Sequence, residues 1–193
     1  MRKKLIALLC TFSSICYAQP DAGPEKKWYV PDAVMVEYAG GFGLLSVGPV
    51  FNLTSKSEVA ISVGYVPPVY GDLWSVNIFL SRSFIKFRLC DKISLNLLDA
   101  GLFVNSNYGD NIYLKWPDKY DSGYYWWNSS IRFGPFVKSE VIFSSKSSRK
   151  ISAFLECNTN DLYILSYVHS SQVMKIHHLL VMGAGVKIAI AKI

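Results

Sequence analysis

The sequence has 193 residues, of which 51% are hydrophobic, 15% are aromatic and only 18% are charged, and its formal net charge is +6. Soluble domains usually carry about 25% charged residues, so this chain has few charges with which to cover a water-exposed surface. The composition excludes an intrinsically disordered or low-complexity chain, and the length fits one domain.

Residues 1–18 are predicted to be a signal peptide that directs export. Arg2, Lys3 and Lys4 precede an apolar stretch at 5–17, and Ala18 ends a small-residue cleavage site. The apolar stretch is too short to span a bilayer as a helix. Without residues 1–18 the net charge falls from +6 to +3, because three basic and no acidic residues are removed. The charge therefore indicates no nucleic-acid partner.

Removal of this segment leaves two cysteines, Cys90 and Cys157. Export to an oxidising compartment allows a disulfide, but one pair so far apart in sequence is no disulfide framework. We predict two unpaired thiols.

Hydrophobic residues after residue 18 alternate with small or polar ones. No stretch of 18 or more predominantly apolar residues occurs, which excludes helical membrane spans. In residues 58–65, Val59, Ile61, Val63 and Tyr65 share one face of a period-two strand. The same alternation recurs in residues 74–81, 127–143 and 180–191.

The polar face of these strands is mostly Ser, Gly, Ala and Asn, which suits a narrow enclosed interior better than an open surface. The apolar face would then point into lipid. Hydrocarbon offers no hydrogen bonds to an unpaired strand edge, so such strands must close into a barrel. The fold predicted is all-β, an eight-stranded antiparallel up-and-down transmembrane β-barrel. The predicted strands are 33–40, 43–53, 58–66, 73–85, 92–104, 125–143, 150–158 and 178–192.

The predicted connections fall into two sets. Those at 54–57, 85–91 and 144–149 are short and polar and are expected in the periplasm, whereas those at 67–72, 105–124 and 159–177 are mostly longer and are expected outside the cell. Both termini are then periplasmic. The predicted organisation is a signal peptide at 1–18, a periplasmic N-terminal segment at 19–32 and the barrel at 33–193.

Tyr and Trp residues concentrate at predicted strand ends and loops, where amphipathic rings sit at the headgroup level. The loop at 105–124 also carries Asp110, Asp118 and Asp121 and is the best candidate for an external contact surface. The predicted binding residues are Tyr108, Tyr113, Trp116, Tyr120 and Trp126.

Several segments carry a resemblance to a known family. They are Trp28-Tyr29-Val30-Pro31-Asp32, Tyr38-Ala39-Gly40, Pro117-Asp118-Lys119-Tyr120, Gly123-Tyr124-Tyr125-Trp126-Trp127 and Asn160-Asp161-Leu162-Tyr163. The chain resembles the small eight-stranded outer-membrane barrels, the group of the OmpA transmembrane domain and OmpX, and more narrowly an uncharacterised bacterial outer-membrane β-barrel family. The resemblance implies location in the outer membrane of a Gram-negative cell, and it brings no known activity. Such barrels usually end in an aromatic residue that the insertion machinery recognises, whereas this chain ends in Ile193.

The lumen of an eight-stranded barrel is filled by side chains, which argues against a general porin. The predicted inward charges are Glu37, Arg132, Lys138, Glu140, Glu156 and Lys187. Buried charges need partners, so this set of three acidic and three basic groups predicts a salt-bridged plug, with a proton or ion path as the alternative. Closure places the first strand beside the last, and Glu37 and Lys187 are expected to lie near each other.

Two other functions stay open. His169-Ser170-Ser171 resembles the His-x-Ser motif of the lipid A deacylase PagL, which implies a hydrolase with His169 as general base for Ser171. No acidic residue follows Asp161, so Asp161 or Glu156 would have to orient the histidine. The other alternative is a soluble secreted barrel that binds an apolar ligand.

No cofactor or metal site is predicted. Adjacent strand residues point to opposite faces, so His177 and His178 are not expected to chelate one ion without a local turn. The chain is predicted to act as a structural or binding protein through its extracellular loops. Its expected partners are outer-membrane lipid and lipopolysaccharide, the outer-membrane insertion machinery and an extracellular ligand or protein.

Overall fold

The computed structural model describes residues 29–110, 112, 129–144, 150–169 and 175–190. Within these ranges the chain forms eight strands and one α-helix, with 3-10 turns at Pro68–Tyr70 and Ile176–Leu179. The elements are β1 (Ala33–Ala39), β2 (Leu45–Asn52), β3 (Ser57–Val66), β4 (Leu73–Cys90), β5 (Ile93–Tyr108), β6 (Ile131–Ser144), β7 (Lys150–Asn158), α1 (Asp161–His169) and β8 (Val181–Ala189).

The eight strands close into one barrel in which each strand pairs with its sequence neighbour and β1 pairs with β8. All eight pairings are antiparallel. Closure gives every described strand two partners, and β4 lacks its β3 partner only beyond Arg82. The prediction of an all-β, eight-stranded, up-and-down barrel is confirmed. β4 and β5 run several residues further than predicted, to Cys90 and Tyr108.

The apolar side chains of the strands point outward. On β3, Ile61 and Val63 are 40% and 45% exposed, while Ser62 between them is 1% exposed. On β8, Val186 and Ile188 are exposed while Lys187 is buried. The outward apolar face predicted from the period-two pattern is therefore confirmed, and the inner face carries the polar residues together with a smaller set of buried apolar ones.

The two ends of the barrel differ, and we name them by their connections. The short-loop end carries the turns at Leu53–Lys56 and Asp91–Lys92. The long-loop end carries the connections from β3 to β4, from β5 to β6 and from β7 to β8. At the short-loop end, β4 continues past its last pairing with β3, which is Ser57 opposite Arg82, as a hairpin with β5.

A helix replaces part of the loop predicted at 159–177. Asn160 precedes α1, and its Oδ1 accepts a hydrogen bond of 3.0 Å from the Tyr163 backbone N–H. This contact satisfies one of the free donors at a helix start, and Asp161 in the first turn favours the helix dipole. The segment is rich in Tyr, Ile and Val, which favour strands over helices, so its sequence did not predict a helix. No helix within the described ranges is long and apolar enough to cross a bilayer.

Candidate functional site in the barrel lumen

Five phenylalanines fill the middle of the lumen, and we call them the aromatic plug: Phe42, Phe79, Phe103, Phe136 and Phe154. Each is 4% exposed or less. The Phe42 ring makes edge-on contacts with Phe79 at 4.6 Å and Phe103 at 4.8 Å between ring centroids. Phe79 contacts Phe136 at 5.8 Å in the same geometry. Aromatic rings prefer such packing, and the layer occupies the middle of the lumen.

Phe42 comes from the turn between β1 and β2, which folds into the barrel. Its carbonyl oxygen accepts hydrogen bonds from Ser75 Oγ at 2.5 Å and Asn77 Nδ2 at 3.3 Å. The backbone of this turn lies against β3 at Gly64, where an added Cβ would meet the Phe42 oxygen at 1.8 Å. Only glycine permits this approach. The predicted strands 33–40 and 43–53 leave only a short connection between them, but nothing in the alternation predicted that its phenylalanine inserts into the barrel.

A charged network lies on the short-loop side of the plug. Glu58 Oε1 accepts hydrogen bonds from Lys138 Nζ and Lys187 Nζ, each at 2.6 Å. Lys187 Nζ also lies 3.2 Å from Glu140 Oε2, and Ser152 Oγ donates to Glu140 Oε1. Both ammonium groups sit over the Phe154 ring, at 5.5 and 5.8 Å from its centroid. The network joins four strands across the lumen, as the predicted salt-bridged plug requires.

The partner predicted for Lys187 needs correction. β1 and β8 are neighbours, but Glu37 lies opposite Gly185, and Lys187 lies opposite Met35. Lys187 reaches across the narrow lumen to Glu58 and Glu140 instead. Glu37 is 1% exposed, and neither of its carboxylate oxygens has a hydrogen-bond partner among the described residues.

The predicted balance of lumen charges also needs correction. Glu37, Lys138, Glu140, Glu156 and Lys187 are buried in the lumen as expected. Arg132 lies apart from them, 3.7 Å from Asp161 at the start of α1.

Two inward carboxylates, Glu58 and Asp99, were missed, so acidic groups outnumber basic ones in the lumen of the described chain. Successive strand residues point to opposite faces, so the outward face assigned to Val59 could have predicted that Glu58 points inward. Asp99 was hidden because β5 contains an irregularity in pairing between Asn96 and Asp99.

The lumen opens at the short-loop end into a cavity of about 340 Å³. Its wall is mainly polar, with hydroxyl, amide, carboxylate and ammonium groups from β2 to β8, while β1 contributes only Ala33. The polar and charged lining residues are Asp32, Asn52, Thr54, Ser55, Lys56, Ser57, Glu58, Ser81, Ser83, Lys86, Asn96, Asp99, Glu140, Lys150, Ser152 and Lys187. The aromatic plug lies deeper in the lumen than this cavity, and the cavity opens toward the short-loop end.

Most of the predicted external binding residues fall outside the described ranges. Tyr108 ends β5 at the long-loop end, is 47% exposed and accepts a hydrogen bond of 3.1 Å from Ser106 Oγ. Outside the described ranges lie Tyr113, Trp116, Tyr120 and Trp126.

The predicted catalytic pair is only half described, since Ser171 lies outside these ranges. His169 ends α1, and its Nδ1 contacts the Leu165 carbonyl oxygen at 3.0 Å. Asp161 accepts a hydrogen bond from the Phe133 N–H and pairs with Arg132, while Glu156 contacts Asn158 in the lumen. Among the described residues, neither carboxylate hydrogen-bonds to His169.

His177 and His178 lie in the 3-10 turn Ile176–Leu179, although 178–192 was predicted as a strand. This is the local turn that the expectation of opposite faces left open, and the two rings are 4.2 Å apart between centroids. The described residues contain no group of three or more His, Cys, Asp or Glu that could hold a metal ion. Cys90 and Cys157 are both free thiols, as predicted.

Comparisons with protein-family models, with curated proteins and with solved structures gave no match.

Proposed function

We propose that this protein is an outer-membrane β-barrel with a plugged lumen, acting as a structural or binding protein through the loops of its long-loop end. The observation that carries the proposal is the reversed distribution of residues, with Val, Ile and Leu outside and Ser, Asn, Glu and Lys inside. A bilayer is the solvent in which this distribution is favourable, and a closed barrel is the only sheet that satisfies its backbone there.

Dimensions support the proposal. β3, β7 and β8 have 10, 9 and 9 residues, which suits a tilted span of an apolar band about 25 Å tall. Exposed aromatic residues lie at the long-loop ends of three strands, namely Tyr38 on β1, Trp74 on β4 and Tyr108 on β5. Such residues form the girdles at membrane interfaces.

The aromatic plug argues for a task other than diffusion of solutes. A general porin has a water-filled lumen, whereas Phe42, Phe79, Phe103 and Phe136 pack against one another across this one. Contacts with lipopolysaccharide, with the insertion machinery or with an extracellular ligand would therefore use the outer wall and the loops. The two alternatives have less support: within the described ranges the His169 ring contacts the Leu165 carbonyl oxygen and no carboxylate, and the cavity wall is polar rather than apolar.

The decisive experiment is fractionation of cells that express the full chain. We expect the protein in the outer-membrane fraction, released by detergent but not by alkaline carbonate. The unheated sample should migrate faster on a gel than the boiled one, because closed barrels resist the detergent of the gel. Recovery in the soluble periplasmic fraction, with no heat-dependent shift, would overturn the proposal.

Orientation can be tested with the native cysteine. Cys90 is exposed in the hairpin at the short-loop end, and Val69 is 86% exposed at the long-loop end. A membrane-impermeant maleimide should label Val69→Cys in intact cells but should label the native chain only after lysis. Labelling of Cys90 in intact cells would show the reverse orientation.

A lipid A profile tests the hydrolase alternative separately. We expect the acyl chains of lipid A to be the same in cells that express the native chain and in those that express Ser171→Ala. Acyl release that depends on Ser171 would replace the binding role with the enzymatic one.

A further inference from the structure

An irregularity in β5 turns two polar side chains into the same cavity. Asn96 pairs with Glu140 and Asp99 with Lys138 on β6, so two β5 residues, Leu97 and Leu98, face one on β6. This is a β-bulge. Residues three apart on a regular strand point to opposite faces, but here Asn96 and Asp99 are both buried and both line the cavity. Bulges that re-aim side chains are common beside binding sites.

Neither side chain has all the partners that burial demands. Asn96 is 7% exposed, and its Oδ1 has no hydrogen-bond donor among the described residues. Asp99 is 4% exposed and accepts a hydrogen bond from Ser83 Oγ, but no lysine or arginine of the described chain forms an ion pair with it. A buried acceptor and a buried carboxylate in this state both favour a cationic hydrogen-bond donor.

The neighbouring lysines form their ion pairs with other carboxylates. Lys138 binds Glu58, and Lys187 binds both Glu58 and Glu140. Three carboxylates therefore face two ammonium groups around the base of the cavity, which leaves Asp99 as the excess negative charge. The described residues offer no three-ligand metal site, so an organic ammonium fits better than a metal ion.

The mouth of the cavity has the opposite character. Lys56, Lys86 and Lys150 line it together with a single carboxylate, Asp32, and no ion pair within the described part of the chain engages these lysines. A molecule that entered ammonium first would present its other end to these lysines. A carboxylate or phosphate at that end would complement them.

We propose that this cavity binds a small zwitterion with a primary ammonium group, of amino-acid size. The ammonium group donates to Asp99 and to Asn96 Oδ1, and the anionic group faces Lys56, Lys86 and Lys150. A volume of about 340 Å³ accommodates such a molecule. The site is reached from the short-loop end and is independent of the loops at the other end.

The test uses the full chain in detergent micelles, with 4-aminobutyrate as probe and saturation-transfer NMR as readout. We expect transfer to 4-aminobutyrate, and much weaker transfer to butyrate, which lacks the ammonium group. Asp99→Asn should weaken binding by about tenfold or more, since a charge-assisted hydrogen bond is lost. The matched control is Asp110→Asn, the same change at an exposed position of the long-loop end, which should bind as the native chain does.

Asn96→Ala provides a second variant in case Asp99→Asn does not fold, and heat-modifiable mobility on a gel checks the folding of each. Weaker binding by a folded Asn96→Ala chain supports the site. No transfer to 4-aminobutyrate in the native chain, equal transfer in folded Asp99→Asn, or equal transfer to butyrate would each overturn the proposal. Because the readout is binding to the folded barrel, its failure leaves the proposed membrane location untouched.

Discussion

Glu58 is the residue on which the lumen network depends, because a single carboxylate oxygen accepts from two lysines. Lys138 and Lys187 come from β6 and β8, on the far side of the lumen from β3. Each buried ammonium group needs a carboxylate partner to offset its lost hydration. The network therefore links distant strands through charge as well as through the ladder of backbone hydrogen bonds.

Replacement of this carboxylate should be costly. Glu58→Gln leaves two buried lysines with weakened partners, and we expect the free energy of unfolding to fall by about 3 kcal/mol. Urea unfolding of the barrel in micelles measures the change. Asp110→Asn, at an exposed position, should stay within about 0.5 kcal/mol of the native chain. A similarly small change for Glu58→Gln would mean that the lysines are satisfied by other groups.

Among the structural elements, the turn between β1 and β2 has a role that its length does not suggest. It places Phe42 at the centre of the aromatic plug, with 1% of its surface exposed. Ser75 and Asn77 of β4 hold its carbonyl oxygen, so polar groups of the wall fix the turn that carries an apolar ring. The turn thus forms part of the core as well as a connection.

Truncation of that ring should destabilise the barrel. Phe42→Ala leaves a cavity between Phe79 and Phe103, and we expect a loss of about 3–5 kcal/mol in the free energy of unfolding. The control is Val69→Ala in the exposed turn between β3 and β4, for which we expect a change below about 0.5 kcal/mol. Equal midpoints of urea unfolding for the two variants would show that the plug adds no stability.

For the whole molecule, the medium around the barrel decides whether its outward face is stabilising. Ile78 lies in the middle of β4 between Ile61 and Val104, and all three side chains point outward. In water, a charge at such an exposed position would cost little. In the middle of a bilayer the same charge is expensive.

The substitution Ile78→Arg separates these two cases. In lipid vesicles we expect a loss of about 2–4 kcal/mol in the free energy of unfolding, whereas Val69→Arg, beyond the strands at the long-loop end, should be near neutral. If Ile78→Arg were as stable as Val69→Arg in vesicles, lipid would not surround this face.

The amino-acid sequence alone determined the strand count, the closure and the direction of each face, because strand geometry has a strict period of two. Val59, Ile61 and Val63 could share only one side of β3, and the polar residues between them required an enclosed interior. Where that period holds, Lys138, Glu140 and Lys187 were correctly placed inside.

Only the tertiary structure decided the features that depart from this period or do not depend on it. The bulge that turns Asp99 inward, the insertion of Phe42 and the choice of Glu58 as partner of Lys187 depend on which strands face each other across the lumen. Residues brought together in this way are up to 129 positions apart in sequence. Local alternation carries no information about such distances, since it specifies a face and not the neighbour opposite.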